Sequence, residues 1–110
     1  MEIKHRSKGD MNIIDLSGSL DIYTSTDFKL FLEEILSEQN NKVIVNMEKV
    51  TYIDSSGIGM LIKQMNILKE MKGQFFLACM KPNIEKVFKI AGLIAYFKFI
   101  PESDFKANYL

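Results

Sequence analysis

The sequence contains a single cysteine, Cys79, among its 110 residues. One thiol excludes an intramolecular disulfide framework and a cysteine-based zinc site, and it is typical of a protein from a reducing compartment. We therefore expect a cytoplasmic protein with no metal site and no cofactor. Because Cys79 ends an apolar run, we expect its thiol to be buried and unreactive.

An excess of charge of either sign is also missing. Fourteen Lys and Arg residues balance fourteen Asp and Glu residues, so the formal net charge is zero. A nucleic-acid partner requires basic charge against its phosphates, and we expect no direct nucleic-acid binding. Five aromatic residues do not alternate with basic residues, and we expect them to pack in the core or at its rim. They are Tyr23, Tyr52, Tyr96, Phe97 and Phe99.

Long apolar runs are absent as well. No stretch approaches the roughly 18 consecutive apolar residues of a membrane-spanning helix. The segment Met1–Arg6 lacks the apolar centre of a targeting signal. We therefore expect neither insertion into a membrane nor export.

The residues needed for the common hydrolytic sites are scarce. His5 is the only histidine, and its place in an opening strand favours a surface role over membership of a catalytic triad. Asp54 invites comparison with a phospho-aspartate receiver, but the early acidic cluster that holds Mg²⁺ in a receiver is missing. No glycine-rich loop ends in Gly-Lys-Ser/Thr, so nucleotide hydrolysis has no supporting residues. We expect a binding protein rather than an enzyme.

The length and the 47% apolar share predict one domain, residues 1–110, with one core. Its first feature is a predicted hairpin of strands Ile3–His5 and Met11–Leu16 around the turn Lys8–Asp10. The polar stretch Ser17–Asp21 is expected to end this hairpin.

Two amphipathic patterns predict the first two helices. The first begins at Thr24, which forms a capping-box pattern with Asp27. Its apolar residues recur at helical spacing: Phe28, Phe31, Leu32, Ile35 and Leu36. The second pattern starts within Tyr52–Gly59, and its expected buried stripe is as follows: Ile58, Leu61, Ile62, Met65 and Leu68. Lys72 and Gly73 predict its end, with Gly73 in the left-handed conformation.

Two apolar runs without polar alternation, Val43–Val45 and Phe75–Ala78, predict strands covered on both faces. The remaining signals are a third helix from Pro82 to Gly92, an edge strand Ala95–Ile100, and a last helix capped by Ser103 and Asp104. Strands that alternate with helices after a hairpin predict an α/β sandwich. Its mixed, mostly parallel sheet has about five strands, with about four helices packed on it.

The segment Asp54–Gly59 carries the most distinctive chemistry. Either Ser55 or Ser56 can cap the second helix with its hydroxyl, which leaves the other exposed near the positive end of the helix. Gly57 and Gly59 in the first turn cost about 1 kcal/mol each relative to alanine. This cost makes sense if another molecule approaches the backbone there; the plain alternative is a good helix-start sequence.

The stretch Tyr52–Gly59 closely resembles the phosphorylation segment of the anti-sigma factor antagonists, the founding members of the STAS domains. The resemblance covers nearly the whole chain in the family's order and spacing. Its other parts are Ser17–Asp21 as the Gly-x-x-Asp segment, Val43–Asn46 as the strand before the switch loop, and Lys81–Pro82, Val87–Phe88 and Ala91–Leu93 as the third helix and its exit. Lys81 departs from the family, which often has a serine or a similar cap there.

The resemblance implies that unphosphorylated protein binds an anti-sigma factor, which is itself a serine kinase, and so releases the sigma factor. Ser55 is then the phosphorylated residue, a metal-dependent phosphatase resets it, and Ser56 is the better candidate for the helix cap or for hydroxyl support. The switch loop and partner-binding surface would comprise these residues: Asp21, Asp54, Ser56, Gly57, Ile58, Gly59 and Met60. We expect a monomer or a weak dimer.

Two alternatives remain open at this point. STAS-type domains also serve as non-switching scaffolds in signalling assemblies and as accessory parts of transport systems, and some of those lack the acceptor serine. In addition, Met60, Ile67 and Met71 lie off the expected stripe of the second helix. They form either an adaptable apolar patch for a partner or a surface covered by another part of the chain.

Overall fold

A computed structural model describes all residues, 1–110. The elements in chain order are β1 (Glu2–Lys8), β2 (Met11–Leu20), α1 (Ser25–Ile35), β3 (Lys42–Ile53), α2 (Ser55–Glu70), β4 (Gln74–Ala78), α3 (Pro82–Ile90), a 3₁₀ turn (Ile94–Tyr96), β5 (Lys98–Ile100) and α4 (Glu102–Tyr109). The predicted alternation of strands and helices is confirmed.

The five strands form one sheet in the order β1-β2-β3-β4-β5. The opening pair β1–β2 is antiparallel, and every later neighbour is parallel. Right-handed crossovers through helices account for the parallel part, and the tight turn accounts for the hairpin. The predicted mixed sheet with four helices is therefore confirmed.

The sheet is covered on both faces, but unequally. Val43 and Val45 belong to a large core that also contains side chains of α1, α2 and α3. Ile44, which points the opposite way, belongs to a smaller cluster with Phe105 of α4. All three β3 residues are completely buried, as predicted for a strand covered on both faces.

Several predicted element ends are wrong. The strand β2 does not stop before Ser17 but continues to Leu20, because it stays paired with β3 along that stretch. The capping box is absent, since Thr24 precedes α1 without any side-chain cap to the helix. After α2 it is Lys72, with φ 58°, that is left-handed. Gly73 is needed for a different reason: a Cβ atom there would lie 2.2 Å from the carbonyl oxygen of Asn41.

The C-terminal part differs from expectation in detail. A 3₁₀ turn occupies the first half of the expected edge strand, so that β5 spans only Lys98–Ile100. The last helix begins at Glu102, directly after Pro101, and has no side-chain cap; the capping role expected of Ser103 and Asp104 is wrong. None of the helices combines the length and the apolar character that crossing a bilayer takes.

Candidate functional site

The candidate site lies at the end of a ribbon formed by β2 and β3. β3 continues for seven residues past Asn46, the last residue that it pairs with β4. At about 3.3 Å per residue, this extension carries its end roughly 20 Å beyond the carboxyl end of β4. The last paired residues of the ribbon are Leu20 and Ile53. Because these two pair, the residues that follow them, Asp21 and Asp54, emerge side by side.

Asp54 caps α2. Its backbone is extended, and its Oδ1 accepts hydrogen bonds from the backbone N–H of Ser56 at 3.0 Å and of Gly57 at 3.1 Å. A carboxylate is as good an N-cap acceptor as a hydroxyl, and its charge interacts favourably with the helix dipole. The expectation that one of the serines, with Ser56 favoured, caps this helix is therefore wrong.

Since Asp54 takes the capping role, both serine hydroxyls are free of it. Ser55 is the first residue of α2 and is exposed, whereas Ser56 is half-buried. Neither hydroxyl takes part in a hydrogen bond within the chain. The Ser55 hydroxyl is consequently presented to solvent at the positive end of a 16-residue helix.

Asp21 holds the neighbouring loop in a fixed turn. Its Oδ1 accepts from the backbone N–H of Tyr23 at 2.9 Å and of Thr24 at 3.1 Å. The Thr24 hydroxyl accepts from the Asp21 N–H at 3.0 Å and donates to the carbonyl of Ser19 at 2.7 Å. The Thr24 hydroxyl is thus engaged in hydrogen bonds within the turn, which explains why the predicted capping box does not form.

The two glycines near the start of α2, Gly57 in its first turn and Gly59 in its second, differ in their surroundings. Gly57 is buried against the backbone of Leu20, and Ile58, next to it, belongs to the large core. Gly59 is exposed, and a Cβ atom there would meet nothing within 4 Å. Internal packing therefore accounts for Gly57, while Gly59 leaves a bare patch of helix surface close to Ser55.

The carboxylates of Asp21 and Asp54 are not neutralised by basic side chains. Neither takes part in any of the ion pairs of the structure, all of which lie elsewhere. Their hydrogen-bond partners are backbone N–H groups and the Thr24 hydroxyl. The surface around Ser55 therefore carries two unpaired negative charges, offset in part by the end of α2.

Comparison with known proteins identifies the family. The family model described as "STAS domain" matches residues 2–105. This chain belongs to the STAS domain family. Among curated proteins, it is similar to an anti-sigma F factor antagonist of Paenibacillus polymyxa, with 25% identity over 99 residues, covering 89% of this chain and 82% of that protein.

Solved structures show the same fold. A putative anti-sigma factor antagonist from Thermotoga maritima superposes with a TM-score of 0.85 and 22% identity, covering 96% of this chain and 90% of the other. The Bacillus cell fate determinant SpoIIAA, solved in its phosphorylated form, superposes with a TM-score of 0.72 and 23% identity, covering 96% and 97%. At this level of identity the two structures support the fold of this STAS domain.

For Met60, Ile67 and Met71 on α2 of this STAS domain, burial supports coverage by the chain itself rather than an exposed apolar patch. Met60 is only 8% exposed and belongs to the large core, so most of it is out of reach of a partner. Met71 is half-buried and packs against the same core, and Ile67 is half-buried. The covering comes from the chain itself, which was the alternative considered for these residues.

Exposed apolar residues lie instead in the turn after β2 and near the end of β3. Tyr23 is 85% exposed in the turn that Asp21 holds, and Ile22 beside it is 61% exposed. Tyr52, paired with Ser19 at the end of the ribbon, is also exposed. The expectation of core or rim packing is wrong for Tyr23, whose side chain is almost fully exposed. The sequence contains a signal for this exposed pair, because the apolar residues Ile22 and Tyr23 stand in the short connection between the turn-forming Asp21 and the start of α1.

The other residues considered from the sequence lie away from this site. His5 is exposed on β1, where its Nε2 lies 2.9 Å from Oδ1 of Asn12. Cys79 is buried, as predicted. No group of three or more His, Cys, Asp or Glu side chains is placed to hold a metal ion.

Proposed function

We propose that this STAS domain is a cytoplasmic anti-sigma factor antagonist that is switched off by phosphorylation of Ser55. In its unphosphorylated form it binds an anti-sigma factor that is also a serine kinase, and this binding frees the sigma factor. The observation that carries the proposal is the free, exposed Ser55 hydroxyl beside an Asp54 carboxylate that already caps the helix. The anti-sigma factor antagonist names of its relatives support the same role.

The chain contributes the hydroxyl that accepts the phosphoryl group, and the kinase contributes the other groups needed for the transfer. The Ser55 Oγ attacks the γ-phosphorus of ATP as the bond to the ADP oxygen breaks, and the hydroxyl proton leaves to a base of the kinase. The kinase supplies the nucleotide site and its Mg²⁺. A separate metal-dependent phosphatase hydrolyses the phosphoserine and restores the binding form. The protein itself acts as a monomer or weak dimer without direct contact to nucleic acid.

The fold tolerates a phosphate at this position. Phosphoserine adds about −1.5 to −2 charges. At the first residue of α2 this charge lies at the positive end of the helix, where anions are stabilised. Because the Ser55 hydroxyl makes no hydrogen bond within the chain, its phosphorylation breaks no internal hydrogen bond. We therefore expect the phosphorylated and unphosphorylated forms to share one fold.

The same charge opposes binding to the partner. A kinase seated over Ser55 also covers Asp21 and Asp54, whose carboxylates have no cationic partner within the chain. A phosphate on Ser55 is a third negative group there. It has to lose its bound water in the interface, and it is repelled by the two carboxylates. A loss of about 3 kcal/mol weakens binding by more than a hundredfold, which is enough to exchange partners without a conformational change.

A transfer and binding experiment tests this proposal. Candidate anti-sigma kinases from the same genome are incubated with the wild type, Ser55→Ala, Ser56→Ala and Ser55→Asp, and phosphorylation is read by mass spectrometry. We expect transfer to the wild type and to Ser56→Ala but not to Ser55→Ala. In calorimetry, Ser55→Ala should bind like the wild type, and Ser55→Asp should bind at least about tenfold more weakly.

Three outcomes would contradict the proposal. Phosphate on Ser55→Ala would identify another acceptor. Equal binding of Ser55→Asp and the wild type would refute the charge mechanism. Stable binding to an anti-sigma factor or a transport protein without transfer by any kinase would favour the non-switching scaffold or accessory module.

A further inference from the structure

The turn between β2 and α1 presents two consecutive large apolar side chains to solvent, Ile22 and Tyr23. Neither side chain belongs to the large core or to the smaller cluster beneath α4. Turns favour glycine, proline and small polar residues, so turn formation does not call for this Ile22–Tyr23 pair. Exposed isoleucine and tyrosine side chains that do nothing for the fold are typical of a surface that meets another protein.

Hydrogen bonds on both sides hold this turn in one conformation. The Oδ1 atom of Asp21 accepts from the N–H groups of Tyr23 and Thr24, and the Asp21 carbonyl accepts from the N–H of Ser25 at 2.9 Å. The Thr24 hydroxyl joins the turn to the carbonyl of Ser19 at the end of β2. A partner therefore meets the exposed pair in an ordered turn, which lowers the entropy lost on binding.

Chain geometry limits how far this turn can be from Ser55. The Asp54 N–H donates to the carbonyl of Leu20 at 3.4 Å. The next residue after Leu20, Asp21, therefore lies about 5 Å from Asp54, the spacing of neighbouring strands. At 3.8 Å per residue, the Cα atoms of Tyr23 and Ser55 are at most about 17 Å apart. An interface of about 800 Å² on each partner is about 30 Å across, so one interface can include both residues.

The charge around the turn indicates the chemistry of a fitting partner. Asp21 and Asp54 accept hydrogen bonds through Oδ1, and neither takes part in an ion pair. Asp27, in the first turn of α1, adds a third carboxylate. No lysine or arginine occurs in residues 9–28 or in residues 50–62. An apolar pocket with a basic rim is complementary to this surface.

We propose that Ile22 and Tyr23 anchor the anti-sigma factor kinase by inserting into an apolar pocket with a basic rim on that protein. The inference rests on the proposed function of Ser55, and it adds the residues that determine which kinase is accepted. Tyrosine is enriched among the residues that dominate binding energy, because its large ring is buried at the cost of few rotatable bonds. Ser55 accepts the phosphoryl group, and the Ile22–Tyr23 pair supplies affinity and partner choice.

The chain offers matched controls for the variants Ile22→Ala and Tyr23→Ala. Ile90 ends α3 and is 78% exposed, and Tyr96 precedes β5 and is 61% exposed. Because β3, β4 and β5 are parallel, the start of β5 lies at the opposite edge of the sheet from the end of β3, which leads to Ser55. Ile90→Ala and Tyr96→Ala thus remove the same residue types from a surface away from the phosphorylation site. Tyr23→Phe keeps the ring and removes only the hydroxyl.

The probe is the anti-sigma kinase that phosphorylates Ser55 of the wild type, with a non-hydrolysable ATP analogue in calorimetry. Tyr23→Ala should weaken binding at least about tenfold and Ile22→Ala about threefold, whereas the two control variants and Tyr23→Phe should stay within about twofold. In transfer assays with ATP, Tyr23→Ala should raise KM and leave kcat within about twofold, because the Ser55 hydroxyl is unchanged. The urea midpoint of every variant should match the wild type, since these side chains are exposed.

Each of the following results would overturn the inference. Equal binding of Tyr23→Ala and the wild type to a kinase that phosphorylates Ser55 would leave the proposed function standing without this anchor. Absence of transfer from every anti-sigma kinase would remove the proposed function and the anchor together.

The control variants add three further outcomes of the same kind. An equal loss of affinity in Tyr96→Ala would show that the effect is not tied to the turn. A loss in Tyr23→Phe as large as in Tyr23→Ala would assign the contact to the hydroxyl instead of an apolar pocket. Weaker binding together with a lower urea midpoint in both Ile22→Ala and Tyr23→Ala would assign the pair to the fold.

Discussion

Gly57 lies so close to Leu20 that a Cβ atom at Gly57 would come within 2.3 Å of the Leu20 carbonyl oxygen. The contact joins the first turn of α2 to the end of β2. It fixes where the helix begins relative to the ribbon, and thereby where Ser55 is presented. Because the obstacle is a backbone atom of a paired strand, it cannot rotate away as a side chain does.

The two glycines near the start of α2 should respond in opposite directions to substitution by alanine. Gly57→Ala should lower the free energy of unfolding by about 1–3 kcal/mol, as overpacking does. Gly59→Ala should raise it by up to about 1 kcal/mol, because its Cβ meets nothing and alanine is the better helix former. Urea unfolding of both variants measures this; a Gly57→Ala protein as stable as the wild type would contradict the packing argument.

The role of Asp54 as the N-cap of α2 can be tested separately from the role proposed for Ser55. Asp54→Ala removes the acceptor of two N–H groups and should cost about 0.5–2 kcal/mol of stability, whereas Asp54→Asn should recover most of it. Ser55→Ala is the matched control, since its hydroxyl bonds to no group of the chain, and it should stay within about 0.5 kcal/mol of the wild type. A larger loss in Ser55→Ala than in Asp54→Ala would reverse the assignment of the cap.

Gln64 is a polar residue on the buried face of α2. It is 2% exposed, and its Nε2 atom has no hydrogen-bond partner. A buried donor without a partner costs about 1–3 kcal/mol. Gln64→Met keeps the length of the side chain and removes the donor, so we expect thermal unfolding at a higher temperature. A lower unfolding temperature would show that the amide is satisfied in solution.

Acid should weaken the protein partly through Asp15. Burial raises the pKa of Asp15, but hydrogen bonds from Arg6 and Asn46 and the charge of Arg6 outweigh it, so the pKa is lowered. A carboxyl with a lowered folded-state pKa stabilises the fold above its unfolded-state pKa of about 4, and this contribution is lost as the pH falls through the folded-state value.

The variant Asp15→Asn isolates this contribution. Between about pH 5 and about pH 2 the wild type should lose more stability than Asp15→Asn, as measured by urea unfolding at each pH. Parallel loss in the two proteins would place the acid sensitivity in other carboxyl groups.

Local patterns were sufficient for the elements and their order. The apolar run Val43–Val45 and the helical stripe from Ile58 to Leu68 depend on side-chain periodicity, which the sequence displays directly. The element ends were less predictable. β2 reaches Leu20 because β3 lies beside it, and the turn after α2 places Lys72, not Gly73, in the left-handed conformation.

The candidate site, too, could be predicted from the sequence only in part. The segment Asp54–Gly59 marks the start of α2 by its composition, and the resemblance it carries pointed to Ser55. Which side chain caps the helix was not decided by composition, because aspartate and serine are equally good acceptors and only the backbone geometry selects between them. Met60 was misassigned because a helix face is buried or exposed according to what packs on it.

The sequence by itself determined the family, the order of strands and helices and the place of the segment Asp54–Gly59 at the start of α2, because these depend on residue types and spacing along the chain. Only the tertiary structure decided that Asp54 is the cap, that Gly57 makes room for Leu20, and that a cavity opens between β4 and β5. The cap depends on the local backbone geometry at Asp54, and the other two depend on contacts between segments that are distant in the chain. Such contacts are fixed by how the layers pack, and residue spacing does not contain that information.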